Sequence, residues 1–204
     1  MEKSTLIFDL GGVLVNYDLE ADTRALAEVG LPEYFEWSKF PGLGDVCNPY
    51  LNGLMPEAEF CRRLRPFCHP DVTDEAMIHS MIAVMADLPV SRLEALRRLR
   101  DRYRLVLLSN INERTWRYCE QLFVQAGYRV DDLFHHVFLS YRLGLAKPDA
   151  AIYRHVLDTI GIEAHEALFL DDTRSNIEAA QQLGIDSWLV PMNQPEELLE
   201  RLSE

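Results

Sequence analysis

From Ser91 onward the chain repeats one pattern, a short apolar run that ends on polar residues followed by a helical stretch. The apolar runs are "RLVLLSN", "HVFLS", "EALFLDD" and "SWLV". The helical stretches are "ERTWRYCEQLFVQAG", "KPDAAIYRHVLDTIG", "NIEAAQQLG" and a final "PEELLERLSE". Apolar runs without polar alternation suit strands buried on both faces. Strands alternating with helices build a parallel α/β sheet covered by helices on both sides. The punctuation agrees: Gly127 closes one helix, Pro148 falls in the first turn of the next, and Gly161 follows its last turn. "SRLEALRRLRDRY" opens on Ser91 and Glu94 at capping-box spacing.

A further strand lies at the start. Residues 5 to 8 of "LIFDLGGVLV" form an apolar run that delivers Asp9 into a glycine turn. The next section is different. "LEADTRALAEVG" sets Leu19, Ala25, Leu26 and Val29 on one stripe. "MPEAEFCRRLRPF" starts a helix at Pro56, with Phe60, Leu64 and Phe67 at helical spacing. "TDEAMIHSMIAVMADLP" runs from a capping Thr73 to Pro89. Between them "FPGLGDVCNPYLNGL" reads as loop, being rich in Gly, Pro and Asn. Residues 17–88 are therefore expected to form an all-helical domain, inserted just after the first strand of a core domain made of residues 1–16 and 89–204.

The chain has 204 residues, 48% hydrophobic and 26% charged, the balance of a globular protein. Its net charge of -13 disfavours nucleic acid and anionic membranes as partners, and an anionic substrate must be held by local positive groups. The arginines of "RRLRDRYR" (Arg97, Arg98, Arg100, Arg102, Arg104) read as a solvated helix face rather than a nucleic-acid site. Cys47, Cys61, Cys68 and Cys119 include no C-x-x-C pair and read as reduced thiols; the spacing of Cys61, Cys68 and His69 fits no zinc pattern. The N-terminus lacks a signal-peptide shape and no run reaches membrane-spanning length, so the cytoplasm is the expected location. Trp37, Trp116 and Trp188 read as packing residues, and His135 and His136 as loop histidines.

Open α/β sheets bind ligands outside the carboxyl ends of their strands. There the sequence places Asp9, then Ser109 and Asn110, then Asp171 and Asp172, with Lys147 at a helix start beside the same crevice. Three converging carboxylates repel one another without a cation, and oxygen ligands suit a hard ion such as Mg²⁺. A lysine, a hydroxyl and backbone N–H groups suit a phosphate.

As a set, "IFDLGGVL", "LLSN", "LAKPDAAIY" and "FLDDTRSNIEAAQQLG" resemble the haloacid dehalogenase-like (HAD) hydrolases, in that family's order and over the core to about residue 190. The likeness is to the phosphatase branch that includes sugar-1-phosphate phosphatases and the N-terminal domain of soluble epoxide hydrolases. It implies a Rossmann-like parallel sheet sandwiched by helices, with the helical block as a cap. It implies a Mg²⁺-dependent phosphomonoester hydrolase acting on a small phosphorylated metabolite through an aspartyl-phosphate. Asp9 would be the nucleophile, and Ser109, Asn110 and Lys147 the phosphate-binding groups. The metal ligands would be Asp9, the Gly11 backbone carbonyl, Asp172, and Asp171 directly or through water.

Gly11 departs from the family's pattern, which has an acid there to protonate the leaving oxygen and assist water, a step worth about 10²–10⁴-fold. Without it, esters with acidic leaving groups are expected to be favoured, sugar-1-phosphates among them. Two alternatives use the same residues: a metal-independent haloacid dehalogenase, to which two further carboxylates are foreign, and a non-catalytic phosphate-ligand binding protein. Phosphonate cleavage would need a Schiff-base lysine, and nothing around Lys39 supports one. Selectivity is expected in the cap, around Asn16, Tyr17 and Asp18 and the "GLGDVCNPYLNG" loop.

Overall fold

The computed structural model describes residues 3–203, with Phe35 described by its backbone alone. Met1 and Glu2, where the expected core domain begins, and Glu204, where the last expected helix ends, lie outside the described residues. In chain order the main elements are β1 (Thr5–Phe8), α1 (Leu19–Val29), α2 (Leu43–Leu51), α3 (Glu57–Leu64), α4 (Asp74–Ile82), α5 (Val90–Leu99) and β2 (Arg104–Ser109). They continue with α6 (Glu113–Gln125), α7 (Val130–Leu133), β3 (His136–Leu139), α8 (Ser140–Leu143), α9 (Ala150–Ile160), β4 (Ala167–Asp171), α10 (Arg174–Gln182), β5 (Asp186–Leu189) and α11 (Glu196–Ser203).

The strands form one five-stranded sheet in the order β3-β2-β1-β4-β5, and every pairing is parallel. β1 and β4 are buried at every residue. One apolar cluster packs Leu6, Phe8, Leu107 and Leu170 against helices such as α5 and α6. Another packs Ile7, Val106, Phe169 and Leu108 against α9 and α10 on the other face. The expected Rossmann-like sheet covered on both sides is the observed fold, and helices α1 to α4 are inserted between β1 and β2. These helices have an apolar cluster of their own, with Leu26, Trp37, Leu43, Phe60 and Met77 in it.

Four local readings are corrected. The stretch expected as loop contains α2, because Leu43, Val46, Cys47 and Tyr50 recur at helical spacing and are all buried, and that burial outweighs Gly42 at the start and Pro49 inside. Helix α5 starts at Val90 after Pro89, with no side-chain cap, so Ser91 and Glu94 form no capping box. Leu19 is 58% exposed and leaves the buried stripe of α1 to Ala25, Leu26 and Val29. Pro148 precedes the helix, which begins at Ala150 with the Asp149 carboxylate accepting from the Ala151 N–H at 2.9 Å. Lys147 thus sits in the connection before α9.

Candidate active site

The strand order reverses between β1 and β4, and the crevice that this opens lies beyond their carboxyl ends. Asp9 follows β1 directly, and its N–H still donates to Leu170 O (2.9 Å), in register with β4. Its Oδ1 accepts the Leu10 N–H at 2.7 Å. The chain then turns through Gly12, whose φ of 71° lies in the left-handed region that favours glycine. Asp171 ends β4 and Asp172 comes next. Oxygen atoms of Asp9, Asp171 and Asp172 all lie within 4.8 Å of one another.

Lys147 reaches this cluster from the connection before α9. Its Nζ donates to Asp171 Oδ2 (2.7 Å) and to Leu108 O (2.9 Å). It also lies 2.9 Å from Asp9 Oδ1. Burial works to lower the lysine's pKa, but Asp171 and Asp9 outweigh it and hold the pKa above its usual value. Burial pushes the Asp9 carboxyl up to about 8, with Lys147 opposing and Asp171 and Asp172 reinforcing. Burial, then Asp171, raises Asp172 as well. With all three carboxylates ionised, one ammonium would leave the cluster's charge unbalanced.

The two paired aspartates differ. Asp171 is fully buried, and it accepts from the Thr173 N–H (2.7 Å), from Asn176 Nδ2 at both oxygens (3.1 Å each) and from Lys147. Protein donors therefore surround it. Asp172 is half-buried, takes a single long bond from Thr173 Oγ1 (3.3 Å) and faces a cavity. The donor set is all oxygen, which suits a hard divalent cation.

Ser109, the last residue of β2, is buried at the carboxyl end of the strand next to β1. Asn110 follows Ser109 directly. Its side chain clamps the Lys147 backbone, with Nδ2 donating to Lys147 O (2.7 Å) and Oδ1 accepting the Lys147 N–H (2.8 Å). Ser140 Oγ holds the next residue, bonded to Ile111 N and Ile111 O.

The cavity in front of Asp172 measures about 330 Å³ and is walled by both parts of the molecule, including Tyr17, Asp22, Trp37, Asn110, Thr115 and Thr173. Asn112 Nδ2 and Thr115 Oγ1 are buried and have no hydrogen-bond partner among the described residues. Burial raises Asp22 to about 6, with Glu33 adding to it. A larger open groove of about 950 Å³ runs between α2–α3 and α6 and touches none of the three carboxylates. Lys39 is exposed and paired with Glu36, far from any Schiff-base role. His135 accepts the Leu105 N–H at 3.0 Å, at the opposite end of β2 from the crevice.

A sequence profile described as haloacid dehalogenase-like hydrolase matches residues 3–184. The chain belongs to the haloacid dehalogenase-like hydrolases. It is 28% identical over 186 residues to the D-ribitol-5-phosphate phosphatase of Bacteroides thetaiotaomicron, a match covering 90% of this chain and 89% of that protein. Among solved structures it resembles a HAD family enzyme of the same organism in complex with magnesium, at a TM-score of 0.86 and 31% identity, covering 98% of this chain and 100% of that one. The same enzyme has been solved with magnesium and inorganic phosphate, and this chain superposes on it at a TM-score of 0.82 and 30% identity, covering 94% and 96% of the two chains. No described helix is long and apolar enough to cross a membrane.

Two residues that organise this HAD site escaped the sequence reading. Arg92 is buried, and its guanidinium donates to Val13 O, Leu14 O, Asn16 Oδ1 and Asn193 O and pairs with Glu196. Asn193 has the one positive φ among the described non-glycine residues (63°). Its N–H donates to Gly12 O (2.7 Å) and its side-chain amide bonds both backbone groups of Tyr17. Their signal is weak because the partners are nearly eighty to more than a hundred and seventy positions away.

Proposed function

We propose that this HAD hydrolase is a phosphatase that cleaves small phosphomonoesters through an aspartyl-phosphate on Asp9. The observation that carries the reading is the Lys147 ammonium held between Asp9 and Asp171, with Asp172 facing the cavity beside them. The relative that acts on D-ribitol-5-phosphate supports it.

In this reading Ser109 Oγ, the Asn110 N–H and Lys147 hold the phosphoryl oxygens, and the Asn110 side chain fixes Lys147 in place. Mg²⁺ would be held by Asp9, Asp172 and the Gly11 backbone carbonyl. Asp171, already surrounded by donors from the chain, would act through water. When bound, such an ion offsets the negative charge of the phosphoryl group and of Asp9 as they meet. An Asp9 oxygen attacks phosphorus and the ester P–O bond breaks, its electron pair leaving with the departing oxygen. Water then cleaves the aspartyl-phosphate, releasing phosphate and restoring Asp9.

The substrate is small, because the cavity is only about 330 Å³. The relative that acts on D-ribitol-5-phosphate supports a hydroxylated leaving group such as a sugar or polyol. A phosphate-release screen over sugar, polyol and terpenyl phosphates, with and without Mg²⁺, tests this. Mg²⁺-dependent release from the hydroxylated esters is expected. Release that ignores Mg²⁺, or a best substrate with an apolar leaving group, would contradict it.

A further inference from the structure

Two glycines stand side by side in the catalytic turn, and their backbones explain only one of them. Gly12 has positive φ; Gly11 does not. What closes the space over Gly11 is Tyr17. A Cβ built on Gly11 would fall 2.7 Å from both Cε1 and Cζ of Tyr17, and closer still to its hydroxyl oxygen. The phenol oxygen therefore occupies the place where the side chain of residue 11 would begin.

The placement of Tyr17 is fixed from several sides. Asn193 Oδ1 accepts its N–H (2.8 Å) and Asn193 Nδ2 donates to its carbonyl (3.0 Å). Tyr17 also bridges antiparallel to Met85. Its ring lies 3.2 Å from where a Cβ on Gly12 would sit, and the Asp172 carboxylate approaches that same point. Its hydroxyl has no protein hydrogen-bond partner among the described residues, and the residue lines the cavity with Asp172 and Thr173. A phenol, with an ordinary pKa of about 10, keeps its proton at neutral pH, so the hydroxyl is a donor.

We infer that Tyr17 is a further catalytic residue, whose phenol hydroxyl donates a hydrogen bond to the ester oxygen leaving phosphorus, in the place of the carboxylic acid that Gly11 lacks. The inference rests on the phosphatase reading above. As the Asp9 oxygen bonds to phosphorus, the ester oxygen takes the electron pair of the breaking bond. The phenol stabilises that developing charge, and the departing oxygen takes its proton from water. The water that hydrolyses the aspartyl-phosphate returns a proton to solvent, and the phenol is unchanged over the cycle. Esters of ordinary primary alcohols then become accessible, which removes the reason for expecting sugar-1-phosphates to be favoured.

The test compares the parent with Tyr17→Phe over a series of alkyl and aryl phosphates, reading kcat/KM, which reports the step that breaks the ester bond, against leaving-group acidity. A merely structural tyrosine would lower all members alike. The expected result is a steeper dependence in the variant, with primary-alkyl esters losing about 30-fold or more and nitrophenyl phosphate less than about threefold. Parallel lines for the two proteins would overturn the inference. A second pair of variants checks the geometry. Gly11→Asp alone should collide with the ring and lose activity, and Gly11→Asp with Tyr17→Ala should recover a shallow dependence. A Gly11→Asp variant as active as the parent would show that Tyr17 does not fill the acid's place. Acid-quenched phosphoenzyme on Asp9 is measured in the parent in parallel. Its presence with parallel lines rejects Tyr17 alone, and its absence with every ester rejects the phosphatase reading itself.

Discussion

The Lys147 ammonium lies 2.9 Å from Asp9 and 2.7 Å from Asp171, and all three side chains are withdrawn from solvent. Removing one member of a buried ionic cluster leaves the others uncompensated, at a cost of about 3–5 kcal/mol. Lys147→Met should therefore lower stability by that order in urea unfolding, as well as weaken phosphate capture. A loss below about 1 kcal/mol would mean that water reaches the cluster and screens it.

The same cluster makes the stability of the metal-free protein depend on pH. In the folded chain Asp9 titrates near 8, against about 3.9 when unfolded. The folded state thus binds the proton more tightly, so this contribution is fully present below about pH 4 and is lost as pH rises through about 8. Thermal melts in chelator should show Tm falling over that window, and Asp9→Asn should flatten the fall. Adding Mg²⁺, which favours the ionised carboxylate, should raise Tm more at pH 8 than at pH 5. A Tm rise that is equal at both pH values would detach the ion from Asp9.

Arg92 binds the turn after Asp9 to α5 and to the segment around Asn193. Truncating it strands buried carbonyls whose bonds to a charged donor are worth about 1.5–3 kcal/mol. Arg92→Met should destabilise by about 2–4 kcal/mol and lower kcat, since Gly12 and Tyr17 share its Asn193 contact. Arg92→Lys should recover little, because an ammonium cannot reproduce the planar fork. Full recovery by lysine would reduce Arg92 to a simple counter-charge for Glu196.

Arg114 on α6 pairs with Glu57 of α3 (3.0 Å) and Glu75 of α4 (2.6 Å), joining the inserted helices to the sheet-bearing part. All three side chains are at least two-fifths exposed, so the pairs contribute less than about 1 kcal/mol. Arg114→Ala should leave stability within that margin and raise KM mainly at low ionic strength, the difference from the parent narrowing as salt screens it. A KM change that persists at high salt would point to a direct contact with substrate.

How much of this was readable in advance follows from where the determinants lie along the chain. Asp9, Ser109, Asp171 and Asp172 were legible because each ends a buried apolar run, and parallel strands bring such ends together. Lys147 was legible as a residue near the crevice, though its seat in the connection before α9 was not. Helix α2 was hidden because Gly42, Pro49 and Asn52 speak locally for a loop, while the burial of Leu43, Val46, Cys47 and Tyr50 exists only after the inserted helices pack. Arg92 resembles the surface arginines that follow it until the turn at Val13 and Leu14 folds over it. Tyr17 was visible as a selectivity candidate, but that its hydroxyl fills the space over Gly11 depends on Asn193, 176 positions away.

In the proposed mechanism Asp9 carries the phosphoryl group between the two steps. Rapid acid quench during turnover of a phosphomonoester, followed by peptide mapping, tests it most directly. A hydroxylamine-sensitive phosphate is expected on the peptide that bears Asp9, absent from Asp9→Asn, which should also lose turnover while keeping the parent's fold. Turnover of the parent with no label on Asp9, or near-parent turnover by Asp9→Asn, would contradict it.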